Sequence, residues 1–348
     1  MKIIHIVWSF RFGGIETMLV NIINEQLKLN NDVHLIIIED SAVEPTLLKS
    51  FDERIKIHYG HRKEKGNLIF PVLRLNLLLL KLNPNVIHIH SSSMYRIIMV
   101  PWLKKVVNST LHALPNTVNT VAIKNVPQVF AISESVSNSL KNKYGVDSIV
   151  NPNGIYPENI KKKVNYNNIF QIVQVSRLQH ENKGQHILLE AAAILKQRGY
   201  KNFRITFIGD GESRSFLENK VKTLNLGGYV EFLGKKEQTY IFEHLCDYDL
   251  FVQPSIHEGF GLTIAEAMAA KLPVIVSSGQ GPEEVIDYGK YGYVFENGNP
   301  SECANKIEIF LKHENNPFQI EEAYRRVLDL YDIKVTVNTY MNKYLRRI

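Results

Sequence analysis

The chain has 348 residues, 45% of them hydrophobic and 22% charged, which is enough for two domains of ordinary size with separate cores. Its two cysteines sit among apolar neighbours far apart in sequence, which argues against a disulfide framework or a cysteine metal site and for a reducing, cytoplasmic setting. The net charge of +6 is uneven: residues 1–155 hold 17 Lys/Arg against 11 Asp/Glu, whereas residues 156–348 hold 24 of each.

Met1 to Trp8 reads as a strand, too short and too soon followed by Arg11 and two glycines to be an export leader. A glycine turn (Gly13, Gly14) leads into a helix whose apolar positions Ile15, Met18, Leu19, Ile22, Ile23 and Leu27 follow the helical period, and Val33 to Ile38 is the next strand. Strand, glycine turn, helix and strand make a Rossmann-like opening. The turn lacks the full G-x-G-x-x-G spacing, so it makes no dinucleotide claim by itself.

Strands continue near Ile55 to His58, Val86 to His90, Ser109 to His112, Val129 to Ile132 and Ser148 to Val150. His88 and His90 share one face of VIHIH and read as buried, hydrogen-bonded histidines, because no further ligands stand at metal-binding spacing. His112 ends STLH, ahead of ALPN, at the carboxyl edge where parallel sheets collect ligands. The most apolar run, Leu68 to Leu82, is broken by Pro71, Arg74, Asn76 and Lys81 and falls short of the ~20 clean residues of a membrane span.

No acidic residue occurs between Lys65 and Ser133, a window holding Lys65, Arg74, Lys81, Arg96, Lys104, Lys105 and Lys124 with Tyr95 and Trp102. Such a surface suits an anionic membrane or a lipid-phosphate acceptor; equally, the leucines could cover a sheet and the lysines could be ordinary surface charge. No nucleic-acid recognition motif accompanies the charge.

A Lys/Asn-rich stretch, Lys161 to Asn168, marks the expected domain boundary. The strand Phe170 to Val175 then leads into SRLQHENKG, which puts Arg177 and Lys183 on a loop at a sheet edge, where cations could hold a diphosphate. FIGDGE is a further strand and glycine loop, carrying Gly209, and VEFLGKK follows at 230–236. Asp247, Tyr248 and Asp249 spell D-x-D, but they lead directly into the buried strand LFVQ, so no metal is expected there.

Leu250 to Ser277 reads as strand, loop, helix and strand. Gly259 and Gly261 let the backbone approach a ligand, and the helix that opens there offers free N–H groups to an anion. Glu258 precedes that site and Glu266 lies one turn in, sharing a face with Thr263 and Ala270, so that it can look back toward the ligand. A carboxylate beside a phosphate site suits the paired hydroxyls of a sugar or ribose. Taken alone, the two acids read as well as a loop acid and a solvated helix residue.

Four segments carry a resemblance: GGIE at 13–16, NPNGI with Asn153 and Gly154, RLQHENKG at 177–184, and the glutamate pair of EGFGLTIAE at 258–266. They resemble the retaining glycosyltransferases of family 4, bacterial group 1 type. The resemblance implies an α/β GT-B architecture of two Rossmann-like domains facing a central cleft: 1–160 on the acceptor side, 161–330 for the nucleotide sugar, and 331–348 returning as a helix onto the first domain.

By the same resemblance, Arg177, Lys183 and the backbone of Gly259, Phe260, Gly261 and Leu262 hold the donor diphosphate, and Glu266 holds the ribose. Glu258 serves the sugar hydroxyls or the cation-like sugar centre. Gly13 and Gly209 lie near the nucleotide, and His112 and Gly14 reach across from the first domain. The implied reaction transfers a sugar from a nucleoside-diphosphate sugar, a UDP-sugar by preference, to a saccharide or lipid-linked saccharide of bacterial surface-polysaccharide assembly. It needs no metal and no resident cofactor; the basic window, rather than the resemblance, suggests a cytoplasmic enzyme working against the inner face of the cell membrane, with a soluble acceptor the open alternative. Two rivals stay open: a sugar-nucleotide epimerase of the same architecture, and a catalytically silent sugar-nucleotide-binding protein.

Overall fold

Short apolar strands alternating with helices give two parallel sheets, as strands buried on both faces require. The structure, a computed structural model, describes residues 1–11, 13–41, 43–63, 66–114, 120–164, 168–313 and 317–347. Lys65 of the acid-free window, Pro115 and Asn116 of ALPN, and residues 165–167 of the Lys/Asn-rich stretch lie outside the described residues. The chain divides into two units, Met1–Ile155 with Asp332–Ile348, and Tyr156–Tyr331.

The first unit holds β1 (Lys2–Val7), β2 (Asp32–Ile37), β3 (Lys56–Tyr59), β4 (Val86–Ile89), β5 (Val107–Leu111), β6 (Gln128–Ala131) and β7 (Ile149–Val150). Their order is β3-β2-β1-β4-β5-β6-β7, and all pairs are parallel. The helix Gly14–Lys28 packs on this sheet because Met18, Leu19, Ile22, Ile23 and Leu27 fall on one face and are buried; Ile15, in its first turn, is exposed.

The end of the chain completes this unit. In the helix Ile333–Leu345, Tyr340 and Tyr344 are buried, and their hydroxyls meet Thr110 Oγ1 at 3.0 Å and His88 Nδ1. Buried phenols need such partners. Asn151 Nδ2 donates to the Thr336 carbonyl at 3.2 Å, which joins the helix to the chain just after β7.

The second unit repeats the plan with β8 (Phe170–Val175), β9 (Phe203–Ile208), β10 (Val230–Gly234), β11 (Leu250–Gln253), β12 (Val274–Ser277) and β13 (Tyr293–Phe295), ordered β10-β9-β8-β11-β12-β13. Its core joins Ile172, Phe207, Leu250 and Val252 of the strands to Leu188, Ala192 and Leu195 of the helix Gln185–Gln197. The chain enters this unit at Tyr156, ahead of the Lys/Asn-rich stretch. Lys161 N–H already donates to the Phe242 carbonyl at 2.9 Å, and Lys163 N–H to that of Ala270 at 2.9 Å. The boundary therefore stands at Ile155/Tyr156 rather than at 160/161, because polar residues that resemble a linker are hydrogen-bonded to the unit they precede.

Candidate active site

Strand order reverses between β8 and β11 in the second sheet, and the loops leaving their carboxyl ends carry the candidate residues. Arg177 and Lys183 follow β8; Glu258, Gly259, Phe260 and Gly261 follow β11. These loops are bound to each other. The N–H groups of Ile256 and His257 both donate to the Asn182 carbonyl, at 2.8 and 3.1 Å, and Gln174 Nε2 holds the Lys183 carbonyl at 2.8 Å.

Gly184 allows that proximity, and Gly209 allows a like approach of the loop after β9 to the end of β8. At Gly184 φ is 65°, and a Cβ would fall 1.8 Å from the Pro254 carbonyl oxygen. At Gly209, at the end of β9, φ is 139° and a Cβ would fall 1.9 Å from the Ser176 carbonyl oxygen. Neither position admits a side chain.

The interlock brings Lys183 Nζ into an ion pair with Glu258 Oε2, both side chains being half-buried. Gln280, from the loop after β12, fixes the same carboxylate-bearing segment at two points: its Oε1 accepts from the Glu258 N–H, and its Nε2 donates to the Ile256 carbonyl. Arg177 is different. It is exposed, and no protein group among the described residues pairs with its guanidinium.

Gly261 is the N-cap of the helix Leu262–Ala269, and no side chain caps it. The N–H groups of Leu262 and Thr263 thus remain available to an anion, whereas that of Ile264 donates to the Gly261 carbonyl at 3.0 Å. The Phe260 side chain turns inward and meets Tyr331 edge-on at 5.5 Å, which leaves the backbone of 259–262 as the ligand-facing part.

Glu266 departs from a solvated helix acid. It is 6% exposed, and burial pushes its carboxyl up to about 7, against a hydrogen bond from Gln238 that favours the charged form. The D-x-D acids separate in function. Asp249 is buried, pairs with Lys163 at 3.0 Å and accepts from the Gln171 N–H at 2.7 Å, whereas Asp247 faces His244 at 2.7 Å. Among the described residues no group of three His, Cys, Asp or Glu could hold a metal ion.

In the first unit, Gly13 caps the helix Gly14–Lys28 and Gly14 opens it, with open space where a Cβ would stand. His112 follows β5 directly. Its Nε2 lies 3.0 Å from His90 Nδ1, and its own Nδ1 is buried without a partner among the described residues. His88 and His90 are hydrogen-bonded as expected, His88 to Thr110 Oγ1 at 2.7 Å.

Sequence reasoning passed over Gln238, Gln280, His5 and Gln26. Each contacts a candidate residue or the chain leading to one, but glutamines give no motif. A histidine inside the otherwise apolar strand KIIHIV was a usable signal, and parallel pairing sets it beside His88 in register.

Two family profiles match in succession: Glycosyltransferase Family 4 over residues 12–159 and Glycosyl transferases group 1 over residues 156–327. The chain belongs to this glycosyltransferase family. A glycosyltransferase of Haemophilus influenzae, itself uncharacterized, is 22% identical over 94% of this chain and 95% of its own length. The amylovoran biosynthesis glycosyltransferase AmsK of Erwinia amylovora is 33% identical over 43% of this chain, a match that spans 39% of AmsK. Among solved structures, Anabaena HepE in complex with UDP and glucose superposes with a TM-score of 0.82 at 20% identity, covering 100% of both chains. This family member, with its two parallel sheets, thus has the GT-B architecture, and its glutamate pair, Lys183 and Arg177 fall within the group 1 segment.

No helix among the described residues is long and apolar enough to cross a membrane. A surface of another kind exists on the first unit. In the helix Ile69–Leu82, Leu75 and Leu79 are buried, whereas Ile69, Phe70, Leu73 and Leu77 are exposed, Phe70 by 78%. Asn76 joins this helix to the next segment, receiving the Met99 N–H at 2.7 Å and donating to the Ile97 carbonyl at 2.8 Å, and the Met99 side chain is itself exposed.

Proposed function

We propose that the protein is a retaining glycosyltransferase that moves a sugar from a nucleoside-diphosphate sugar to a saccharide or lipid-linked saccharide acceptor. The observation that carries the reading is the loop cluster after β8 and β11, where a cation pairs with Glu258 beside an uncapped helix start. Arg177, Lys183 and the N–H groups after Gly261 would take the diphosphate, whose charge grows as the glycosidic bond breaks; oriented cations favour that charge in the transition state. Arriving phosphate oxygens would compete with Glu258 for Lys183 and free the carboxylate for the sugar. Glu266 would accept from the ribose hydroxyls, and the departing phosphate would help deprotonate the acceptor on the same face, which retains configuration. His112 and Gly14 would contribute from the first unit.

A UDP-sugar is the favoured donor, in keeping with the UDP and glucose in the HepE structure. The test is a thermal-shift panel of UDP, GDP, ADP, CMP and dTDP. A ligand at about 100 times its dissociation constant adds about 2.7 kcal/mol of stability. Selective stabilisation by UDP supports the reading, and no shift with any of the five removes it. Release of free nucleoside diphosphate only when acceptor is present separates transfer from epimerisation and from silent binding; the anomeric configuration of the product tests retention.

The acceptor is read from the first unit. Exposed Phe70, Leu73, Leu77 and Met99 lie among Arg74, Lys81, Lys104 and Lys105 with no acid nearby in sequence, the pattern of a surface that rests on anionic lipid. Co-flotation with vesicles containing anionic lipid, lost in a Phe70→Asp/Leu77→Asp variant, supports a membrane-borne acceptor; no flotation at low salt favours a soluble one.

A further inference from the structure

Three imidazoles and one amide make a continuous hydrogen-bonded row through the first sheet. Gln26, fully buried, presents Oε1 to His5 Nε2 at 2.8 Å. His5 Nδ1 meets His90 Nε2 at 3.0 Å, and His90 Nδ1 meets His112 Nε2 at 3.0 Å. The rings stack in the same sequence, with centroids 5.3 and 5.2 Å apart. The row starts on the helix Gly14–Lys28, crosses β1 and the end of β4, and stops one residue past β5 at the carboxyl edge.

Proton counting along such a row has one solution once its first member is set. The Gln26 oxygen has no proton to give, so His5 Nε2 carries one. A neutral His5 then has a bare Nδ1, which requires a proton on His90 Nε2. By the same step His90 Nδ1 is bare and His112 Nε2 carries the proton. His112 Nδ1 is therefore left without a proton, and within the row it is the one ring nitrogen that is buried with no partner among the described residues. An unpaired buried acceptor is costly, so a ligand hydroxyl that donates to it is favoured.

The row stays neutral. Burial pushes His5 and His112 down to about 4 and holds His90 well below the ordinary imidazole value, where a second charge on His5, His88 or His112 would also repel it. His88 stacks 4.9 Å from His90 but spends its own nitrogens on Thr110 and Tyr344, so it adds repulsion and no branch.

We infer that Gln26, His5 and His90 are positioning residues that lock His112 as its Nε2–H tautomer, leaving Nδ1 as an acceptor for a sugar hydroxyl. The hydroxyl assignment rests on the proposed function; the tautomer lock does not. An amide turned the other way at Gln26 would reverse every tautomer and make His112 Nδ1 a donor. Two-bond proton–nitrogen correlation spectra of the full-length protein, labelled in its histidine rings, separate these cases at neutral pH without any substrate.

The expected result is neutral Nε2–H rings for His5, His90 and His112. An Nδ1–H ring or an imidazolium at His112 overturns the lock. In Gln26→Met, which keeps length and apolar volume, His112 should become a mixture of tautomers. Turnover should fall about tenfold with UDP affinity unchanged; a spectrum identical to wild type shows that the row does not set His112. Addition of UDP-glucose should shift the His112 Nδ1 resonance beyond the effect of UDP alone. Equal shifts overturn the sugar-hydroxyl role while leaving the lock intact.

Discussion

The two units share the central strand order of a Rossmann sheet but carry opposite chemistry at their carboxyl edges. On the second, Arg177, Lys183, Glu258 and an uncapped helix start make a charged edge where the loop after β11 is bonded to those after β8 and β12. On the first, the groups at the edge are neutral imidazoles aligned by hydrogen bonds, and the nearby helix Ile69–Leu82 exposes apolar side chains. A diphosphate is recognised by charge, which acts at several ångströms and tolerates small misalignment. A hydroxyl is recognised by a directional lone pair, which must be aimed. One fold therefore supports both tasks because the sheet fixes only where loops end, and the loops choose the chemistry.

The sharpest way to break the comparison is through backbone packing. Gly184→Ala puts a methyl group into the Pro254 carbonyl at a positive φ, and should cost about 3 kcal/mol or more of stability in chemical denaturation, combining backbone strain with a clash. A loss under about 1 kcal/mol would mean that the loops after β8 and β11 separate easily, and that the charged edge is not preset.

Next in size is Glu266. Its carboxyl holds a proton in the fold up to about pH 7, whereas the unfolded chain loses it near the ordinary value of 4.5. Between those two values the unfolded chain binds fewer protons than the folded one, so this group makes stability fall as pH rises, and the effect is complete above pH 7. Glu266→Gln lacks the loss. At pH 8 it should be more stable than wild type by up to about 3 kcal/mol, and near equal at pH 4, while binding UDP more weakly. Melting curves at the two pH values check the sign. A gain at pH 4 alone would contradict the buried carboxyl.

Lys183→Ala should reduce turnover at least tenfold, about 1.4 kcal/mol of transition-state stabilisation, and Arg177→Ala should do the same. Because Glu258 neutralises Lys183, Glu258→Gln should bind free UDP at least as well as wild type yet transfer sugar more slowly. Binding by calorimetry and transfer by UDP release give the two halves of that result. Weakened UDP binding in Glu258→Gln would assign the two acids the other way round.

The second edge was legible in sequence because its chemistry is local: RLQHENKG and EGFGLTIAE each carry their charged residues and glycines within nine positions of one another. The alternation of strands and helices likewise marked both sheets. The ion pair between Lys183 and Glu258 was less visible, since it joins loops 75 positions apart. Glu266 was read as facing a ligand across an accessible helix face, but the close approach of Gln238 and its burial depend on how the helix seats. The first edge was legible only in part. His5, His90 and His112 come from three neighbouring strands and Gln26 from a helix, and no spacing within one segment relates them. Nor does hydrophobic period tell a covered leucine from an exposed one in Ile69–Leu82, where apolar residues occupy both faces.

The smallest expected effect is the most discriminating for the first edge. Gly14 opens its helix in open space, and a Cβ there meets nothing within 4 Å, so Gly14→Ala should change stability by no more than about 0.5 kcal/mol, toward greater stability if anything. This separates it from Gly184, where packing and a positive φ both require the missing side chain. A methyl group at Gly14 that leaves the melting curve unchanged but weakens donor binding would make the glycine a point of ligand approach. If stability and donor binding are both unchanged, the first edge works through His112 without Gly14, and its difference from the charged edge is wider than the shared strand order suggests.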